Sequence, residues 1–173
     1  RAYFRSEIFP VLTPLASDPG HPFPHISNLS INLAVVVRDD DHGERFARLK
    51  VPQTFPRLLR VPDEERAEQL ERLGFEEVVA PNFVWLEEVI SENLDLLFPG
   101  VEVVAAYPFR ITRDADMAIE EDEASDLMLA MSEYVEQRRF GSCIRLEVHQ
   151  DMPGHIEYLL VQNLRLQAYQ VFR

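Results

Sequence analysis

Two histidines four residues apart, His21 and His25, have the spacing that sets a pair of imidazoles on one helix face, where they bind a metal or share a proton. Pro22 and Pro24 forbid that helix, because each removes a backbone donor and fixes φ. That spacing therefore makes no helical pair, and the favoured reading is a histidine hydrogen-bonded within a domain contact, beside the alternative of a loop pair that binds metal or acts as a base. A second group is Arg110, Thr112, Arg113, Asp114 and Asp116. In a strand Arg110 and Thr112 share one face, while Arg113 falls on the other with Ile111. Guanidinium forks bind carboxylates or phosphates in two-pronged fashion. The set is thus an anion site or an ion-pair network, with Arg113 paired to Asp114, Asp116 or a helix acid. Arg138 and Arg139 read as caps on the last carbonyls of a helix, and Glu120–Glu123 as its solvated first turn.

Other chemistry is missing its parts. The six glycines are isolated, so neither a P-loop nor a dinucleotide fingerprint can be written. HExxH, GxSxG and paired Cys/His spacings are absent. Lys50, the single lysine, stands alone in a strand and is a poor phosphate ligand by itself. The single cysteine, Cys143, lies in CIRLEV and reads as a buried strand thiol. No cofactor or metal is expected on this chain.

The elements that carry these residues follow from periodicity. Phe9–Asn32 holds five of the twelve prolines and reads as a stiff, ordered connection without helix or central strand, threaded with apolar residues that need a partner. RAYFRSEIF before it reads as the last turns of a helix. Leu29–Val37 alternates with period two, a strand with one apolar face, and Phe46–Val51 follows as its hairpin partner, with Arg48 and Lys50 opposite Leu49 and Val51. Arg57–Val61 is a short edge strand. A charged surface helix is expected from Pro62 to Arg72, ending at Gly74, then β-favouring pieces at Phe75–Val79 and Phe83–Trp85. Leu86, Val89, Ile90, Leu94 and Leu97 fall at helical spacing up to Pro99-Gly100. Strands at Val101–Val104 and Pro108–Arg113, interrupted near Pro108, precede the longest helix, from Glu120 to Arg139. Ile144, Leu146 and Val148 form one strand face, with Arg145 and Glu147 on the other. A helix at Gly154–Leu164 and a strand at Ala168–Phe172 close the chain. Strands outnumber helices and begin with a hairpin, so the class is α+β, with a mixed, largely antiparallel sheet and packed helices in a single domain.

Composition fits that class. The chain has 173 residues, 46% of them hydrophobic, and no apolar run long enough to span a bilayer. Its net charge of −13, from 30 acidic against 17 basic residues, repels nucleic acid and other polyanions while leaving room for a local basic patch. Both ends look like cuts within something longer.

Four stretches, EIFPVLTPLASDPGHPFPHISNLSINLAV (7–35), PFRITRDAD (108–116), EDEASDL (121–127) and RRFGSCIRLEV (138–148), resemble the bacterial polyphosphate kinase of the histidine-phosphorylating type. They run in order over essentially the whole chain and match only that family's middle, or head, domain. The resemblance implies a domain spanning 1–173, with 1–9 the end of a helix from an N-terminal domain. Two phospholipase D-like domains would follow. It implies a parent that transfers the γ-phosphate of ATP reversibly to polyphosphate, with Mg²⁺ and a phosphohistidine. The phosphohistidine motif belongs to the C-terminal part, so His21 and His25 do not inherit its role, no catalytic residue carries over, and this polypeptide alone is expected to be inactive. A role in dimerisation transfers at domain level. Partners are then the neighbouring domains and a second copy of the parent, and the location is cytoplasmic, with membrane association only through the parent. Under this reading Phe9, Leu12, Leu15, His21, Phe23 and His25 contact another domain or subunit. The alternative is an accessory polyphosphate or nucleotide module in which Arg110, Arg113, Arg138 and Arg139 line part of the ligand path.

Overall fold

In the computed structural model, which describes residues 1–17, 23–39, 43–61, 82–114 and 141–173, the chain is built outward from strand β2, Ile31–Asp39. Its residues Leu33 to Val37 are all buried. The single apolar face expected from the alternation is therefore corrected to two. β2 lies inside a six-stranded sheet and both faces are covered, so small and β-branched side chains fill both. Leu33, Val35 and Val37 enter one core with Phe4, Ile8, Leu86 and Ile90. Ala34 and Val36 enter the other with Phe109, Ile111, Leu146, Ile156 and Leu160. The result is an α+β, three-layered arrangement.

β2 and β3 (Gly43–Lys50) form the expected antiparallel hairpin, with Leu33 opposite Leu49 and Ala34 opposite Arg48. Outside β3 lies β1, Pro14–Ser17, so the proline segment is not the loop throughout that the sequence suggests but includes an edge strand. An edge strand needs ladder bonds on one side only, which is why Pro14 is tolerated. Pro10 lies in the first turn of a 3₁₀ helix, Phe9–Val11, where its missing N–H is not required. Phe4–Ile8 winds as a π-helix before it and buries Phe4 and Ile8.

On the other side of β2 runs β6, Glu102–Arg113, one continuous strand rather than two. Pro108 does not interrupt it. Its carbonyl accepts from the His149 amide at 3.1 Å, so its nitrogen also faces the β7 side, just past the end of β7 (Cys143–Val148). No ladder donor is lost there. β7 carries a bulge: Thr112 pairs with Arg145 and Arg113 with Cys143. The extra residue is Ile144, which turns out to solvent, while Cys143, Leu146 and Val148 face the core. This corrects the expected face of Ile144. β8 is only Val171–Phe172, parallel to β7, because Ala168–Gln170 is a 3₁₀ turn.

β4 (Leu58–Val61) and β5 (Asn82–Trp85) form a separate antiparallel pair. Helix α1 covers only Leu86–Ser91, shorter than the apolar spacing suggests, and a 3₁₀ turn at Leu94–Leu96 completes the stripe. Asn93 breaks the helix. Its side-chain amide donates to the Val89 carbonyl at 2.8 Å, and its backbone leaves the helical region. Helix α2 spans Gly154–Leu164, as the sequence predicts, and ends on Arg165 in the left-handed region. The helix at Pro62–Arg72, the piece at Phe75–Val79 and the helix from Glu120 to Arg139 lie outside the described residues.

Candidate functional site

Arg110 leaves β6 directly across from Glu147 of β7 and grips it with both prongs, Nε to Oε2 at 2.5 Å and Nη2 to Oε1 at 3.0 Å. Arg145 adds a third bond to Glu147 at 3.1 Å and lies over the Phe172 ring at 4.1 Å. The hydrogen bond from Arg110 holds the Glu147 carboxyl below its usual range, and the same bond raises the Arg110 guanidinium. This is a solvent-facing cross-strand ion pair. Sequence reasoning missed its acid: Glu147 had been placed only as a strand residue. Arg113 lies on the opposite face, donating from Nε to the Ile26 carbonyl at 3.0 Å and from Nη1 to that of Gly141 at 2.7 Å. The structure thus separates Arg110 from Arg113. Asp114 ties its amide to the Ser142 carbonyl. Asp116, Arg138 and Arg139 lie outside the described residues.

The face that holds Arg113 has a second set of cations. Arg48 and Lys50 point there from β3, beside Phe46, and the loop of residues 23–30 crosses over them. Phe23 stacks on Phe46 at 5.7 Å, Ile26 is fully buried, and the Leu29 amide bonds the Ile111 carbonyl. A polar chain runs beneath the loop. Arg48 Nε donates to Asn32 Oδ1 at 2.7 Å, and Asn32 Nδ2 donates to the carbonyl and hydroxyl of Ser30. The Ser30 hydroxyl donates to the Ser27 carbonyl, and Lys50 Nζ reaches the Ser27 hydroxyl at 3.3 Å. Arg48 is 6% exposed and Asn32 is fully buried. Exposed His25 lies in the same loop. Burial first, then the charges of Arg113, Arg48 and Lys50, hold its imidazole below the ordinary histidine value. Lys50 is therefore not the isolated cation that its place in the sequence suggests.

Of the residues expected to meet another domain, Phe9 and Leu15 are 39% and 40% exposed, and neighbouring Val11 is 52% exposed. Leu12 is buried in the core beside Phe4, and Phe23 is half-buried on Phe46, so both are committed inside the chain. His21 lies outside the described residues. β1 is an edge strand whose outer side pairs with no other strand among them.

A groove of about 590 Å³ opens on the other face, lined by Trp85, Glu87, Tyr107 and His149 among others. Arg57 bonds the buried Glu87 at 2.6 Å and lies over Trp85 at 4.7 Å, closing one end. Burial pushes the Cys143 thiol up, so it is not a ready nucleophile. Among the described residues no cluster of three or more His, Cys, Asp or Glu is placed to hold a metal ion, and no helix is long and apolar enough to cross a membrane.

The family model described as "Polyphosphate kinase middle domain" matches residues 1–173. Polyphosphate kinase 1 of Chlorobaculum tepidum is 46% identical over 99% of this chain, and polyphosphate kinase of Thermosynechococcus vestitus is 46% identical over 98%. The chain spans 24% and 22% of those proteins, about a quarter of their length. The crystal structure of polyphosphate kinase from Porphyromonas gingivalis superposes on all of this chain with a TM-score of 0.71 at 23% identity, over 22% of that chain.

Proposed function

The chain belongs to the polyphosphate kinase family as its middle domain, and from that premise we propose that it is a non-catalytic assembly domain of an ATP–polyphosphate phosphotransferase. In this reading the parent reversibly adds the ATP γ-phosphate to polyphosphate, with ATP and Mg²⁺ bound by other domains. This domain joins the N-terminal and C-terminal domains and contributes to a homo-oligomer.

The observation that carries the reading is the state of the N-terminal segment. The chain closes two apolar cores internally, yet leaves Tyr3, Phe9 and Val11 of the N-terminal segment and Leu15 of the edge strand β1 exposed. An exposed edge with apolar neighbours is a ready template for pairing with another chain, and stable proteins cover or blunt it. The relatives are about four times longer, so further protein is at hand to cover it. Arg110, by contrast, is occupied by Glu147, which weakens the alternative of an arginine-lined ligand path through that residue.

The test is light scattering on the full-length protein carrying Phe9→Asp and Val11→Asp together. A charge at each position should shift the oligomer toward smaller species by at least tenfold in dissociation constant, since burying an uncompensated carboxylate costs more than about 1.4 kcal/mol. The 173-residue chain with the same changes should keep its circular dichroism spectrum, because both side chains are exposed in it. An unchanged mass at every concentration would overturn the assembly role.

A further inference from the structure

We infer that Arg48, Lys50 and Arg113, with His25, form a pocket for a phosphate-class oxyanion beneath the loop of residues 23–30. The inference does not rest on the assembly role, since it concerns a different chemistry, although Leu15 of β1 lies opposite Arg48 in register.

The first argument is the missing counter-charge. A buried guanidinium is held at a large desolvation cost and is normally paired with a carboxylate. Arg48 is 6% exposed, and among the described residues its one hydrogen bond goes to the neutral amide oxygen of Asn32. Burial lowers its pKa, and among the described residues no carboxylate is bonded to it. Among the described residues the Lys50 side chain reaches a serine hydroxyl, and that of Arg113 two backbone carbonyls, with no acid on either. Several other cations have acids: Arg38 has Glu44 and Glu102, Arg57 has Glu87, and Arg110 and Arg145 share Glu147. In a chain of net charge −13 acids are plentiful. Three cations on one face of the sheet, none with an acid partner among the described residues, mark a place arranged for an anion from outside.

The second argument is preorganisation. The bonds running from Arg48 through Asn32, Ser30 and Ser27 to Lys50 fix the cations before any ligand arrives. Fixed donors lose little entropy on binding. The side chains left for a ligand are the outer prongs of Arg48, the Lys50 ammonium and the remaining prong of Arg113. His25 at the rim becomes a further donor if it takes up a proton. Three fixed charges suit a multiply charged oxyanion better than a single carboxylate. The shared chemistry is a phosphoryl group, whether free orthophosphate or part of a longer phosphate chain.

The 173-residue chain, which closes both of its cores internally, is titrated at constant ionic strength with orthophosphate, tripolyphosphate and acetate, by calorimetry and by amide NMR shifts. Saturable shifts are expected at Ser27, Ser30, Asn32 and Lys50, tighter for tripolyphosphate than for orthophosphate if the source is a chain, and comparable if it is the free ion. Acetate should be at least tenfold weaker. Lys50→Gln should weaken binding about tenfold, the value of one charge-assisted bond, and Arg48→Lys should do the same by losing the fork. Arg110→Ala should leave affinity unchanged. Lys50 is half-buried and its substitution keeps the fold testable should the Arg48 variant fail to fold. Any one of three results would overturn the pocket: no binding, shifts centred on Arg110 and Arg145, or equal affinity in Lys50→Gln. A change of self-association in Lys50→Gln without anion binding would assign the cations to a protein carboxylate and equally reject the proposal.

Discussion

Arg48 shows how a residue can be read correctly in direction and still be misjudged in role. Period two places it opposite Leu49, and it does point away from Leu49's core. The 23–30 loop that crosses over it is separated from it in sequence by the whole of β2, and no local pattern encodes that cover. Lys50 reads as isolated in the sequence, yet the fold brings the Ser27 hydroxyl to its ammonium and sets His25 within the field of Lys50, Arg48 and Arg113. His25 makes the arrangement measurable. Its folded value lies below the ordinary histidine value of about 6.5, first from burial and then from the three cations. The unfolded chain therefore binds more protons than the native one just below pH 6.5. Stability should fall as pH drops through that value and level off below the folded one. The His25 ring signals should titrate below 6.5, and Lys50→Gln should raise the midpoint. A wild-type midpoint at or above 6.5 would show that the cations do not act on this imidazole.

Among the elements, those with one strong periodic signal and a local stop were legible: the β2–β3 hairpin, β5 and α2. The differences each have a local cause that periodicity cannot carry. Asn93 ends α1 by taking the Val89 carbonyl for its own side chain. Ile144 is displaced by a bulge that depends on the register with β6. Pro108 reads as a breaker, yet its missing donor falls where β7 has already ended. Because Pro108 replaces no ladder bond, Pro108→Ala should change unfolding free energy by less than about 1 kcal/mol, mostly through the unfolded chain. Ile111→Ala, three residues on and fully buried, should cost about 2–5 kcal/mol. Urea denaturation of both variants measures the contrast. A Pro108→Ala loss as large as that of Ile111→Ala would mean that proline shapes the strand rather than merely fitting it.

For the molecule as a whole, the sequence conveyed class and family, because alternation and the long proline stretch survive without tertiary information. It could not convey how charge is distributed over two faces of one sheet. Net charge of −13 says that the surface repels anions, while the layered fold gathers Arg48, Lys50 and Arg113 on one face beneath a loop. These two scales make opposite predictions for a polyanion. If net charge governs, tripolyphosphate acts only as salt, and its effect on melting equals that of sodium chloride at matched ionic strength. If the pocket governs, the native state is stabilised by ligand binding, by about 2.7 kcal/mol at a hundredfold excess over Kd. For a chain of this length that is a rise of roughly 5–10 °C in Tm. Sodium chloride alone should also raise Tm slightly by screening repulsion among the acids, but it should shrink the added effect of tripolyphosphate. Thermal scans across both salts, on wild type and Lys50→Gln, separate the two. Identical curves for the two salts in the wild-type chain would leave net charge in control and remove the case for a site.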